Sequence, residues 1–229
     1  MLAFLFGAAP VSGLRAVLRR GDREAVRAVI REHMALARKI GGIRLDVRGE
    51  EHVPKNRSFV VVFNQSSVAE DVGNAEVLLP YVDRFVLAAE YAWLPLVRRA
   101  CEEAGYVFLE RGNRRSTTRA LDELTEVVAS GGSISMAPEG HLSRDGTIGH
   151  FKRGAFLVAI RAGALVVPMA LRGGHEILKP GSMRYRPGVL RYRIGKPLDT
   201  AGLEVDQAPD IAARARERVV ALFQTADAS

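Results

Sequence analysis

The sequence has one cysteine, few aromatic residues and no long apolar run, and each shortage narrows what the chain can be. Cys101 stands alone, so no internal disulfide can form, which suits a reducing compartment. No apolar run approaches the roughly 20 residues that a membrane-spanning helix requires. Aromatic residues make up only 7% of the chain, and no nucleic-acid-binding motif is recognisable. Nucleic acid is therefore not expected as a partner.

Positive charge is what the sequence has in excess. Lysine and arginine number 33 against 26 aspartates and glutamates, a formal net charge of +7. Such a surplus favours acidic partners, namely an anionic membrane surface or an acidic carrier protein. The first 20 residues begin with an apolar stretch and continue into a basic amphipathic helix, residues 14–20. Two interpretations remain open: this helix lies in a membrane interface, or it packs on the domain's own core. The expected location is cytoplasmic, peripheral on the inner face of the membrane.

Strand and helix patterns alternate along the rest of the chain. Apolar residues at three- and four-residue steps predict a helix over residues 22–40, closed by Gly41-Gly42. The predicted strands are 43–47, 58–63, 83–89, 105–111, 133–136, 164–171 and 188–198, and the predicted later helices are 115–130, 152–163 and 211–223. This alternation predicts an α/β fold, a single domain with a mostly parallel sheet flanked by helices. Residues 1–42 form its N-terminal helical segment, and residues 43–229 its main domain.

Three polar segments follow predicted strands: "NQSSVAED" (64–71), "ERGNRR" (110–115) and "APEGHLSRDG" (137–146). In parallel sheets, sites form beyond the carboxyl ends of the strands. We expect the three segments to converge over one edge of the sheet and to frame a trough of lipid size.

In their order and spacing, these segments resemble the sequence blocks of the PlsC-type glycerolipid acyltransferases, the superfamily of 1-acylglycerol-3-phosphate acyltransferases. Residues 64–70 are similar to the family's N-H-x-S-x-x-D block, and residues 105–111 to its G-x-x-F-I-D-R block. Residues 137–143 are similar to F-P-E-G-T-R-S, followed by an F-K-x-G match at 151–154. Residues 167–169 are similar to V-P-V, so the resemblance covers about residues 58–170.

This resemblance implies acyl transfer from a thioester to a hydroxyl. The co-substrate would be acyl-CoA or an acyl carrier protein, and neither a bound cofactor nor a metal is expected. The resemblance places Gln65 and Glu70 at the positions of the catalytic histidine and aspartate. It places the substrate-binding positions at Asn64, Ser67, Arg111, Glu139, Gly140 and Lys152.

The first block lacks the family's proton acceptor, because a glutamine amide does not titrate near neutrality as histidine does. General acid–base assistance contributes roughly 10²–10⁴ in rate, so another group must supply it or the chain does without. Glu70 is one candidate, although Ser67 and Glu70 also match a capping box, a purely structural role. His141 is the other candidate base, with Glu139 or Glu70 orienting it. Asp71 is expected to point about 100° away from Glu70 around the helix and to be solvated.

The third block also departs from the family, since Leu142 stands where an arginine would help to hold phosphate. The acceptor is therefore expected to be a hydroxyl or an amine, and not necessarily a lysophospholipid. Two alternatives stay open. The chain could process acyl or polyketide-like thioesters by hydrolysis, cyclisation or dehydration, or it could bind lipid without catalysis.

Overall fold

The strands of the protein form one mixed sheet. The computed structural model describes residues 18–19, 21–88, 95–110 and 112–226. Within these residues seven strands pair in the order β1-β7-β6-β2-β5-β3-β4. They are β1 (Ile43–Arg48), β2 (Phe59–Phe63), β3 (Arg84–Ala88), β4 (Tyr106–Leu109), β5 (Ile134–Met136), β6 (Leu165–Arg172) and β7 (Gly188–Ile194).

The sheet is parallel except at one junction. Strands β6 and β7 run antiparallel, and every other neighbouring pair is parallel. The carboxyl ends of β2, β3, β4, β5 and β6 therefore lie at a single edge, which we call the carboxyl edge. Because β7 is antiparallel to β6, β7 starts at this edge, and so does its parallel partner β1. The prediction of a mostly parallel sheet is confirmed.

Helices cover both faces of the sheet. They are α1 (Arg23–Ile40), α2 (Glu70–Val77), α3 (Pro95–Glu103), α4 (Arg114–Ala129), α5 (Gly154–Ala162), α6 (Gly174–Ile177) and α7 (Ala208–Thr225), with 3₁₀ turns at Glu50–His52 and Val205–Gln207. One apolar core lies under α4, α5 and α7, and a second lies between the opposite face and α1 with α2. This two-sided cover is what buries parallel sheets in α/β proteins.

Strand burial follows position in the sheet. All five residues of β2 are buried, as its continuous apolar run predicts for a strand covered on both faces. The sequence also predicts a fully buried strand at 105–111, and this prediction is wrong. Strand β4 is the outermost strand, and its four residues are only half-buried, because an edge strand has a neighbour on one side alone.

Helix α1 is attached to the domain by a buried guanidinium. Arg27 donates to the carbonyls of Ala104 at 3.0 Å, Val82 at 3.0 Å and Asp83 at 2.8 Å. Bonds to several backbone carbonyls satisfy a charge that would be costly to bury alone. The predicted amphipathic helix 14–20 lies outside the described residues apart from Leu18 and Arg19, which form a turn. No helix in the described part of the chain has the length and apolarity to cross a membrane.

Candidate active site

Three strand ends come together at the centre of the carboxyl edge. Strand β2 lies between β5 and β6, and Asn64 follows it directly. The Asn64 amide donates to the Leu171 carbonyl at 2.8 Å and accepts from the Leu171 N–H at 2.9 Å. These paired bonds extend the β2–β6 ladder by one residue. Both amide atoms are thereby committed to the backbone, so Asn64 fixes where the next residue emerges.

Gln65 is held from three directions. Its backbone N–H donates to Glu139 Oε1 at 3.2 Å, and its carbonyl accepts from the Ser143 N–H at 3.0 Å. Its side-chain Nε2 donates to Asp71 Oδ1 at 2.8 Å. The residue is only 9% exposed. The segments after β2 and β5 therefore meet at Gln65, as the sequence predicts for the first and third blocks.

Asp71 is the partner of Gln65, and its predicted position was wrong. The carboxyl group is half-buried and accepts from Gln65 Nε2 and, at 3.4 Å, from Asn74 Nδ2. The expectation of a solvated Asp71 assumed a regular helix from Ser67 onward. Helix α2 starts at Glu70 after a turn from Ser67 to Ala69, and Gln65, which lies before that turn, reaches the Asp71 carboxyl group. Burial raises the pKa of Asp71 to about 7, although both hydrogen bonds oppose that rise.

Glu70 occupies the interior of the same loop. It is fully buried and accepts from the Ser66 N–H at 2.9 Å, the Ser66 hydroxyl at 2.7 Å and the Ser67 N–H at 3.3 Å. Burial raises its pKa to about 8 against these three bonds. A Cβ added to Gly174 would collide with the Glu70 carboxyl group. This enclosed place suits a residue that shapes the loop.

The predicted capping box forms in part. Glu70 reaches back to the Ser67 N–H, as a capping box requires. The Ser67 hydroxyl instead accepts from the Ala69 N–H at 3.1 Å and donates to the Leu178 carbonyl at 2.6 Å. The serine thus ties the loop to the segment after α6.

Glu139 joins the first and third motif segments. Its Oε1 accepts from the Gln65 N–H, and its Oε2 accepts from the Gly149 N–H at 2.7 Å. The Gly149 carbonyl in turn accepts from Arg216 of α7 at 2.7 Å. Burial raises the pKa of Glu139, and these hydrogen bonds act in the opposite direction. At 1% exposure the carboxyl group acts inside the protein, as a clamp between two loops.

Most of the remaining predicted residues lie in or beside the third motif segment. His141 is exposed, and its ring lies close enough to Glu139 for its charge to lower that carboxyl's pKa. Gly140 has a φ of +70°, and the exposed Lys152 ammonium lies directly over it. Leu142, at the position of the missing arginine, is half-buried. Arg111 lies outside the described residues.

The sequence reasoning missed two residues that lie against the motif segments. The position of Asp71 depends on where α2 starts, and the sequence carries no clear signal for that start. His175, which no motif includes, lies in α6 beside Gly174. Its ring packs against Gly146 of the third motif segment, and its buried Nδ1 has no hydrogen-bond partner among the described residues.

Cys101 lies in α3, away from this edge. Burial raises the pKa of its thiol to about 12, so it stays protonated and unreactive near neutrality.

Comparison with known proteins agrees with this architecture. The 1-acyl-sn-glycerol-3-phosphate acyltransferase alpha of Ovis aries is 29% identical over 188 residues, which are 80% of this chain and 64% of that protein. The protein of the same name from Mus musculus is 29% identical over 209 residues, 90% of this chain and 72% of that protein. This chain therefore spans somewhat less than two thirds of the sheep protein's length.

A solved structure has the same fold. The crystal structure of the 1-acyl-sn-glycerophosphate (LPA) acyltransferase PlsC from Thermotoga maritima matches with a TM-score of 0.70 at 24% identity, over 95% of this chain and 92% of that one. The family model described as Acyltransferase matches residues 44–172, a stretch that runs from β1 to the end of β6 and holds every motif segment described above. The chain belongs to the Acyltransferase family.

Proposed function

We propose that this chain transfers an acyl group from a CoA or carrier-protein thioester to a hydroxyl or amine acceptor. The family and the names of the relatives support acyl transfer. The polar side chains clustered at the carboxyl edge are the proposed site of that reaction. The relatives are named for 1-acyl-sn-glycerol-3-phosphate. Here the half-buried Leu142 offers no charge to a phosphate, so we infer an acceptor that carries less phosphate than theirs.

The observation that carries this proposal is the 2.8 Å hydrogen bond from Gln65 Nε2 to Asp71 Oδ1. It gives the glutamine amide a single orientation at the point where the family places a histidine. The amide oxygen accepts no hydrogen bond from the described residues, so it can accept one from the nucleophile. An amide positions a hydroxyl or amine in this way but does not remove its proton.

Asp71 supplies the proton acceptor that Gln65 lacks. A base works best when its pKa lies near the operating pH, and burial brings the Asp71 carboxyl to about 7. Asp71 is only half-buried, whereas Glu70 is fully buried beneath the loop. We therefore assign the base to Asp71 rather than to Glu70. His141, exposed and without a hydrogen bond to Glu139 among the described contacts, is the second candidate for this role.

The proposed step balances without a co-reactant. The acceptor's O–H or N–H proton passes to the Asp71 carboxylate, directly or through one water, as the new bond to the acyl carbon forms. The C–S bond then breaks, and Asp71 returns the proton to the leaving thiolate. The products are an ester or amide and a free thiol, and the enzyme returns to its starting protonation state.

The test is product analysis with purified full-length chain. Acyl-CoA and acyl carrier protein thioesters are offered with 1-acyl-sn-glycerol-3-phosphate, with a neutral monoacylglycerol and with a long-chain amine, and products are identified by mass spectrometry. We expect an acylated acceptor, formed faster from an uncharged acceptor than from the phosphate. Loss of thioester without acylated acceptor would show hydrolysis instead, and ligand binding without turnover would show a binding protein.

A further inference from the structure

Helix α7 contacts the loop between β5 and α5 through the side chain of Arg216. Its Nε donates to the Gly149 carbonyl at 2.7 Å, and its Nη2 donates to the Ile148 carbonyl at 2.8 Å. The two bonds use the planar fork of the guanidinium, which fixes the direction of both carbonyls. Arg216 is half-buried and lies beyond the stretch 44–172 that the family model matches. The sequence blocks therefore do not include the residue that holds this part of the backbone.

The Gly149 peptide links Arg216 to Glu139. The Gly149 N–H donates to Glu139 Oε2 at 2.7 Å, and a Cβ on Gly149 would lie 2.9 Å from the same oxygen. Glu139 Oε1 accepts from the Gln65 N–H at 3.2 Å. Gly149 thus binds Arg216 through its carbonyl and Glu139 through its N–H. A continuous chain of hydrogen bonds runs from α7 to Gln65.

The loop is attached to Gln65 at both of its ends. The Ser143 N–H donates to the Gln65 carbonyl at 3.0 Å, and Gly149 reaches the Gln65 N–H through Glu139. Arg216 fastens the second end to α7, a helix that packs on the apolar core. A shift of that end would therefore be passed to the Gln65 backbone.

The charge of Arg216 acts on Glu139 as well. Burial raises the pKa of Glu139, and two backbone N–H donors and the charges of His141 and Arg216 oppose that rise. The exposed Lys152 ammonium lies over the neighbouring Gly140. A histidine side chain titrates near neutrality, whereas a guanidinium keeps its charge. Arg216 therefore favours the ionised carboxylate at every pH at which the protein is folded.

We propose that Arg216 is a positioning residue, which holds the Ile148–Gly149 backbone against Glu139 and so fixes the Gln65 backbone in the site. Each oxygen of Glu139 accepts from an N–H, and an ionised carboxylate accepts such bonds more strongly than a neutral acid does. The guanidinium contributes geometry through its two carbonyl bonds and charge through its proximity. The inference rests on the proposed function in taking Gln65 as the residue that orients the acceptor.

The experiment measures amide hydrogen exchange by NMR in the full-length chain without substrate. Protection of the Gln65 and Gly149 amides reports the two bonds to Glu139. Arg216→Met removes the charge and both carbonyl bonds, and Arg216→Lys keeps the charge without the planar fork. Arg218→Met, at an exposed position of the same helix, is the matched control. The same proteins are compared in kcat and KM for acyl transfer.

We expect both amides to lose about 10-fold in protection in Arg216→Met, since a hydrogen bond to a charged group contributes about that much. Glu139 then takes up a proton at higher pH than in the unmodified chain, so as the pH falls protection should weaken earlier in this variant. Arg216→Lys should keep the pH dependence of the unmodified chain and lose part of the protection at Gly149. In Arg216→Met kcat should fall about 10-fold with little change in KM, because a small displacement of a site residue slows the reaction. Arg218→Met should match the unmodified chain throughout.

Equal protection in Arg216→Met and in the control would overturn the proposal. A loss of protection that is the same at every pH, with kcat unchanged, would assign Arg216 a structural role alone and would overturn it as well. If Arg216→Met does not fold, full protection of Gly149 in Arg216→Lys would exclude the carbonyl bonds as the cause. If the unmodified chain acylates no acceptor, the proposed function fails, and the exchange data still decide whether Arg216 holds Glu139 and Gln65 in place.

Discussion

At the residue scale, we propose that a carboxyl group with a raised pKa does the work that a histidine does at the family's position. A free imidazole titrates near 6.5 and a free aspartate near 3.9. Burial beside Gln65 brings Asp71 to about 7, which is close to the range that histidine would have provided. In the proposed mechanism Gln65 orients the acceptor and Asp71 takes its proton, so that two side chains share the role of one imidazole.

Replacing Asp71 with asparagine should remove the titrating group and keep the shape. We expect kcat to fall by about 10²–10⁴, the usual contribution of a general base. In the unmodified enzyme Asp71 must be ionised to accept a proton, so kcat/KM should rise as the pH passes through about 7. This rise of kcat/KM with pH should be absent in Asp71→Asn. Asp122→Asn, on the exposed face of α4, is the matched control. If Asp71→Asn keeps its kcat and the rise of kcat/KM with pH, Asp71 is not the base. His141 is then the candidate base.

The buried Glu70 makes a separate prediction about stability. Its pKa is about 8 in the folded chain and near 4.5 when unfolded, so between these values the folded state holds a proton that the unfolded state releases. The free energy of unfolding should therefore be highest below about pH 4.5, fall as the pH rises toward about 8, and then level off. The slope from one such group is at most about 1.4 kcal/mol per pH unit. Asp71 adds a slope of the same sign, which should level off near pH 7.

Urea unfolding of the unmodified chain and of Glu70→Gln, at several pH values, measures this dependence. Glutamine does not ionise, so the variant should have a shallower slope and should lose its disadvantage as the pH rises. Parallel curves for the two proteins would show that the pKa of Glu70 does not change on folding, because the Ser66 and Ser67 donors then cancel the effect of burial.

The pairing of residues within the site was only partly predictable from the sequence. The meeting of Gln65 with Glu139 follows from parallel strands whose ends share an edge, and the structure confirms it. The contact of Gln65 with Asp71 depends on how the segment from Asn64 to Ala69 turns into α2, and the sequence carries no clear signal for that turn. Helix starts are the least determined part of a local pattern, so the side chain next to Glu70 was misplaced.

At the element scale, the short helix α6 forms a wall behind the site loop. Its first residue, Gly174, leaves room for the Glu70 carboxyl group, and a Cβ there would overlap it. Crowding of this kind in a packed interior costs roughly 1–3 kcal/mol. We expect Gly174→Ala to lower the free energy of unfolding by that amount and to reduce kcat, because the loop that carries Gln65 must shift.

Gly154→Ala is the matched comparison for this effect. Gly154 is also the first residue of a helix, and a Cβ there would meet Leu121 at an ordinary 3.5 Å. Alanine favours helix over glycine by up to about 1 kcal/mol, so this variant should be as stable as the unmodified chain or more so. Equal unfolding midpoints for the two alanine variants would show that α6 can shift without a loss in the free energy of unfolding. In that case α6 does not support the loop.

The elements themselves were largely readable from the sequence, and the exceptions have a physical cause. Continuous apolar runs identified β2 and β6, and the alternation of strands with helices predicted the parallel sheet. Strand β4 has an equally apolar sequence but takes the edge position. Strand order depends on how the crossover helices pack, so no local pattern distinguishes a central from an outer strand. The sequence of β7 likewise gave no local indication that this strand runs antiparallel to β6.

At the scale of the whole molecule, part of the net charge of +7 lies at the edge of the sheet that holds the site. Exposed cations, among them Lys39 and Arg186, lie on the elements that lead into β1 and β7 at the edge that holds the site. Attraction to an anionic surface at this edge should weaken as salt shortens the Debye length, from about 10 Å at 0.1 M to about 3 Å at 1 M. We expect that increase in salt to release most of the chain from anionic vesicles. Chemistry at the half-buried Asp71 is screened far less, so turnover of a soluble thioester and acceptor should change little over the same range. Binding that survives 1 M salt would mean that apolar insertion dominates, and equal losses of binding and turnover would mean that salt acts on the fold and not on docking.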